Sequence, residues 1–111
     1  MWRDIPNFEG LYQISSTGKI RNRHKQILKP FLNNNGYLRI NLYKERVVYK
    51  YMVHVLVAKT YLENPNNLSD VNHKNNKRKD NRVSNLEYVS HSDNIKQVWD
   101  TGKFRKRRRT I

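Results

Sequence analysis

The sequence predicts an α+β domain in which a small N-terminal antiparallel β-sheet is followed by a strand, a loop, a second strand and a helix. Three observations carry that prediction. Tyr37 to Tyr43 and Arg46 to Tyr51 alternate apolar and polar side chains on either side of Lys44-Glu45, as the two strands of a hairpin do. Val53 to Leu62 places apolar residues at 53, 56, 57 and near 60 to 61, the spacing of one helix face. Val71 to Asn94 sets His73 ahead of Asn85 and Asn94, with β-favouring runs on either side of a polar loop.

Taken in order, the chain opens with Tyr12 to Ser15 and Lys19 to Arg21, two short strands joined at Thr17-Gly18. The basic residues Arg21, Arg23 and Lys25 follow, and a hairpin facing a polyanion explains them better than a merely solvated edge. Asn33-Asn34-Asn35-Gly36 is a turn leading into the second hairpin, whose outer face would carry Arg39, Lys50 and tyrosines. A helix over 53–62 then covers that sheet, although its β-branched residues also suit a strand, and its His54 reads as a hydrogen-bonded core residue outside the active site. Asn64-Pro65-Asn66-Asn67 ends the helix.

Asp70-Val71-Asn72-His73 is the next short strand, and Leu86-Glu87-Tyr88-Val89 its partner. Ser90, three residues before Asp93, has the capping-box spacing that starts a helix through Ile95, Val98 and Trp99, with Asn94 on its first turn. The expected organisation is a sheet module over 1–51, the unit built around His73 over 52–100, and a basic tail over 101–111.

Charge narrows the partners. Across 111 residues, 23 Lys+Arg stand against 9 Asp+Glu, a formal net charge of +14, and removing the six cations of Lys103 to Arg109 still leaves +8. A body this basic favours nucleic acid through phosphate contacts and counterion release. The absence of cysteine excludes disulfides and thiolate zinc clusters. No apolar run reaches membrane-spanning length and the N-terminus lacks the apolar core of a signal peptide, so a soluble, intracellular protein is expected, with neither a membrane nor a small-molecule substrate as partner.

Hydrolysis of a phosphodiester at neutral pH needs a base for water and a cation to offset charge on phosphate and leaving oxygen. A histidine suits the first task, because its ordinary pKa lies near neutrality. Asn72 and Asn94 offer oxygen ligands for a hard ion such as Mg2+, with Mn2+ an alternative. Lys74, Lys77, Arg78, Lys79 and Arg82 would meet phosphates from the intervening loop, and Arg105 and Arg107 from the tail.

These residues resemble the HNH endonucleases, specifically the phage and intron homing-endonuclease-like branch. The likeness rests on Val71-Asn72-His73, Asp80-Asn81-Arg82, Asn85-Leu86-Glu87-Tyr88-Val89 and Asn94, with Asn85 and Asn94 standing 12 and 21 residues after His73. The front of the chain is similar to the module commonly fused to these nucleases, in Trp2, Ile5-Pro6, Phe8-Glu9-Gly10, Tyr12-Gln13-Ile14-Ser15 and Gly18-Lys19-Ile20. His54-Val55-Leu56-Val57-Ala58 resembles the helix that precedes the nuclease motif.

The resemblance implies a ββα-metal fold and a divalent-metal-dependent endonuclease that nicks or cleaves double-stranded DNA, acting in the cytoplasm of a phage-infected bacterial host. It implies His73 as general base, Asn85 as the residue that holds the loop and orients His73 by hydrogen bonding, and Asn72 and Asn94 as metal ligands. Many relatives carry aspartate where this chain has Asn72, which keeps the oxygen ligand but drops its charge. Relatives often continue into a C-terminal DNA-reading region, so low sequence selectivity is expected. A non-catalytic DNA-binding protein on the same scaffold is the alternative, and charge alone would suit an RNA-binding protein of ribosomal type. Monomer and dimer both remain open.

Overall fold

The computed structural model describes residues 1–92. Its first sheet joins four short antiparallel strands in chain order, β1 (Trp2–Asp4), β2 (Tyr12–Ser15), β3 (Ile20–Asn22) and β4 (Ile27–Leu28). Ile14 lies opposite Ile20 in the ladder, and both are fully withdrawn from solvent. The turn between them closes on Ser15, whose Oγ accepts from the Lys19 amide at 2.9 Å, while Gly18 takes a φ of +93°. That conformation belongs to glycine, because a Cβ there would crowd the preceding backbone.

A second antiparallel sheet holds β5 (Phe31–Leu32), β6 (Leu38–Lys44) and β7 (Val47–Met52) in that order. The sequence reading expected one N-terminal sheet. The structure has two because the chain breaks at Lys29-Pro30, between β4 and β5, where proline has no amide hydrogen to continue a ladder. The asparagine turn forms as expected, with Asn33 Oδ1 accepting from the amides of Asn35 and Tyr37 at 2.9 and 3.0 Å. The β6–β7 turn falls on Glu45-Arg46, one residue later than expected, both with positive φ. A two-residue turn of that hand matches the right-handed twist of the strands it joins.

Alternation along β6 sends Ile40 and Leu42 inward, and Arg39, Asn41 and Tyr43 to the opposite face with Lys50 of β7. The outer face is therefore basic and aromatic, as expected. Tyr49 and Tyr51 are exceptions: both meet Phe8 edge-on, with ring centroids 5.5 and 6.0 Å apart.

The helix α1 (Val53–Tyr61) follows β7 without a break. Its buried Val53, Leu56 and Val57 join one apolar cluster with Ile5, Phe8, Ile14, Ile20, Ile40, Leu42 and Leu86. Tyr61 donates from its hydroxyl to the Ile14 carbonyl at 2.7 Å, tying the helix end to β2. The cluster takes residues from both sides of the expected boundary between 51 and 52, so α1 serves as a common floor. On its far side lie β8 (Asp70–His73) and β9 (Leu86–Val89), an antiparallel pair joined by a long loop that ends in a single 3-10 turn, Val83–Asn85. Among the described residues, no helix is long and apolar enough to cross a membrane.

Candidate active site

The β8–β9 ladder pairs Asn72 with Glu87 and His73 with Leu86. Successive residues of a strand face opposite ways, so His73 and Leu86 point toward α1 and the core, while Asn72 and Glu87 share the other face. Pairing this short would be marginal by itself. Burial of Leu86 at 2 % exposure anchors it from below.

The loop after His73 is organised by its own asparagines. Asn85, 5 % exposed, uses every polar atom of its amide: Oδ1 accepts from the Asn75 amide at 3.1 Å, and Nδ2 donates to Asn75 Oδ1 at 3.0 Å and to the Asp80 carbonyl at 2.8 Å. The Asn85 carbonyl also accepts from the Lys74 amide at 2.7 Å. Asp80 in turn receives Arg82 Nε and Nη2, both at 2.8 Å, and Asn75 Nδ2 at 2.9 Å. The Arg82 hydrogen bond, helped by Asn75, holds the Asp80 carboxyl well below the usual carboxylate range. The loop is thus a polar clasp closed by side-chain to backbone hydrogen bonds at Asn75, Asp80 and Asn85.

His73 is 5 % exposed, and its Nε2 lies 2.8 Å from Oδ1 of Asn81, itself 4 % exposed. An amide oxygen can only accept, so in this pairing Nε2 carries the hydrogen and the lone pair resides on Nδ1. The contact expected from Asn85 is thus made by Asn81, while Asn85 secures the loop that carries both. Asn81 is placed from outside the loop as well. Val83 donates its amide to the Ser16 carbonyl at 2.8 Å, and Gly18 lies so close that a Cβ on it would sit 3.0 Å from the Asn81 Cβ.

His54, expected to be a core residue apart from His73, lies against it. It is buried at 8 % exposure, but its Nδ1 has no hydrogen-bond partner among the described residues, and its ring stands 4.7 Å from that of His73, centroid to centroid. Tyr37 stacks on His54 at 5.1 Å and reaches His73 at 5.8 Å, so the three rings form a triangle, and the Arg78 guanidinium lies 5.0 Å above Tyr37. Burial, and secondarily the charge of His73, push the His54 pKa down to about 4, so it is neutral at physiological pH. The apolar spacing of α1 signalled burial, but a contact between residues 19 apart in sequence leaves no local trace.

Asn72 is half-buried and donates from Nδ2 to Glu87 Oε2 at 3.0 Å, which directs Oδ1 away from that bond. Oxygen donors of this kind suit a hard divalent cation. Helical geometry begins at His91, so Ser90 stands at the expected cap position. Asp93, Asn94, Arg105 and Arg107 lie outside the described residues.

Of the cations expected to meet phosphate, Arg23 and Lys25 are exposed on the β3–β4 turn, and Lys74, Lys77, Arg78 and Lys79 along the loop. Arg39 is half-buried on the outer face of β6. Arg21 and Arg82 are engaged within the fold. Arg21 donates twice to Gln13 Oε1 at 2.9 and 2.7 Å and lies 4.1 Å over the Trp2 ring, and Arg82 is paired with Asp80.

Comparison with known proteins shows what the chain as a whole is similar to. Residues 1–43 match the NUMOD4 motif. The chain is 36 % identical over 101 residues to an uncharacterized HNH endonuclease of Acanthamoeba polyphaga mimivirus, an alignment covering 91 % of this chain and 30 % of that protein. It is 32 % identical over 102 residues to the DNA endonuclease I-HmuI of Bacillus phage SP01, covering 91 % of this chain and 59 % of the relative. A solved structure, of DNA binding and cleavage by the HNH homing endonuclease I-HmuI, superposes with a TM-score of 0.83 at 32 % identity, over 92 % of this chain and 59 % of that one. The chain therefore spans 30 % to 59 % of the length of these relatives. By sequence and fold, the chain is similar to HNH endonucleases, the homing endonuclease I-HmuI among them.

Proposed function

We propose that this chain is the cutting part of a divalent-metal-dependent DNA endonuclease that hydrolyses phosphodiester bonds in duplex DNA. The observation that carries the reading is the 2.8 Å contact between His73 Nε2 and Asn81 Oδ1. It holds the imidazole in the tautomer whose Nδ1 can take a proton from water. His73 is then the general base, Asn81 and Asn85 set its orientation and its loop, and Asn72 contributes an oxygen ligand together with Asn94. A bound Mg2+ or Mn2+ would offset the negative charge that grows on the phosphate and the departing oxygen. Packing of His73 against a neutral His54 keeps the base from facing a second positive ring.

DNA is the partner that the charge and the relatives support, with the outer face of β6–β7 and the loop cations along its backbone. Products with 5′-phosphate and 3′-hydroxyl ends are expected of the family chemistry. Supercoiled plasmid tests this directly. With Mg2+ or Mn2+ the wild-type chain should produce open circles, and His73→Ala should do so about 10²- to 10⁴-fold more slowly, the usual contribution of a positioned base. Plasmid left intact by wild type, or cut equally well by His73→Ala, would remove the catalytic reading and leave a DNA-binding protein on the same scaffold.

A further inference from the structure

The weak point of the proposed cation site is electrostatic. Two asparagine amides present oxygens but no net charge, and a hard divalent ion gains most of its protein affinity from carboxylates. The structure places a carboxylate next to this deficit. Glu87 lies directly opposite Asn72 in the β8–β9 ladder, on the same face, and its Oε2 accepts from Asn72 Nδ2 at 3.0 Å.

Two features separate this pair from an ordinary cross-strand contact. The first is orientation. Glu87 can only accept, so the hydrogen bond fixes which end of the Asn72 amide faces it and leaves the oxygen for an ion, resolving an ambiguity that an isolated asparagine retains. The second is charge balance. In a chain with 23 Lys+Arg, Glu87 has no Lys or Arg within ion-pair distance among the described residues. It is also half-buried. Among the described residues, this half-buried carboxylate has a neutral amide as its hydrogen-bond partner and no Lys or Arg counter-charge beside it.

We propose that Glu87 is a positioning residue for the divalent cation, orienting the Asn72 amide and supplying from the neighbouring strand the negative charge that position 72 lacks. The carboxylate is displaced by one rung of the ladder and acts through the amide. This assignment rests on the metal-dependent nuclease reading above. Partners that orient a metal ligand commonly change affinity about 10- to 100-fold when removed.

The experiment titrates Mn2+ into the full chain by electron paramagnetic resonance, and in parallel finds the Mn2+ concentration that half-saturates plasmid nicking. Glu87→Gln keeps a hydrogen-bond acceptor and a similar volume but removes the charge. It should weaken Mn2+ binding about 10-fold or more and raise the half-saturating concentration in step, with an unchanged melting temperature. The double variant Asn72→Asp, Glu87→Gln moves the charge to position 72 and should return Mn2+ affinity to near the wild-type value. A nicking wild type whose Mn2+ affinity is untouched by Glu87→Gln overturns the assignment and leaves the nuclease reading standing. A double variant as weak as Glu87→Gln alone overturns the displaced-charge account. A wild type that neither binds Mn2+ nor nicks overturns both.

Discussion

The regions before and after α1 in the chain are held together by opposite means. Toward the N-terminus, two sheets are fixed by apolar packing, with Ile14, Leu42 and Val57 fully buried in one cluster. Toward the C-terminus, the β8–β9 ribbon contributes Leu86 to that cluster and is otherwise secured by a network of asparagine side chains. Apolar packing is non-directional and tolerates small shifts, whereas hydrogen bonds fix angles and donor identity. The region that only has to be stable uses the first means. The region that must hold an imidazole in one tautomer uses the second.

Substitutions on the two sides should separate stability from activity. The largest effect is expected from Leu42→Ala, which opens a cavity in the shared cluster and should cost about 2–5 kcal/mol in urea unfolding. The loss should be global, because sheet and ribbon pack on the same helix. Acid should come next. His54 has its pKa lowered from 6.5 to about 4 in the fold, so the unfolded chain binds more protons in that interval. Stability from this group is complete above pH 6.5 and is lost as the pH falls toward 4, by roughly 3 kcal/mol at most. The His54→Phe variant, measured by the urea midpoint against pH, should lose that part of the acid sensitivity. A midpoint that falls as steeply in the variant would place the acid sensitivity elsewhere.

The smallest loss of stability is expected from Asn85→Ala, which strands the Asn75 amide and the Asp80 carbonyl, at about 1–3 kcal/mol. Its effect on plasmid nicking should exceed its effect on melting, because the loop carrying Asn81 loses its internal tie. Equal losses of nicking in Leu42→Ala and Asn85→Ala, at temperatures where both remain folded, would erase the distinction between the two regions.

The same difference in cohesion explains what could be read from the sequence. Alternation marked β2, β6, β7, β8 and β9 to within about a residue of their observed bounds, and helical spacing marked α1, because period and burial are local signals. The strands β1, β4 and β5 hold two or three residues each, too few to show a period, and so the division into two sheets at Pro30 went unread. At the site, spacing singled out His73, Asn85 and Asn94, oxygen-ligand chemistry added Asn72, and the family resemblance implied the orienting bond from Asn85. Nothing local distinguishes one asparagine from another in so asparagine-rich a loop. The choice between Asn81 and Asn85 is made by loop closure, and the approach of His54 by helix packing. Both are properties of the folded chain.

The contact between Gly18 and Asn81 bears on how such a protein can be recombined. Residues 1–43 match a motif of their own and look transferable, yet the glycine at position 18 makes room for the asparagine that holds the proposed base, and the Ser16 carbonyl takes the Val83 amide beside it. A front segment with any other residue at that turn would both strain the β2–β3 turn and crowd Asn81. Grafts between relatives should therefore divide by the identity of this one turn residue, and a well-folded chimera is not for that reason a competent one.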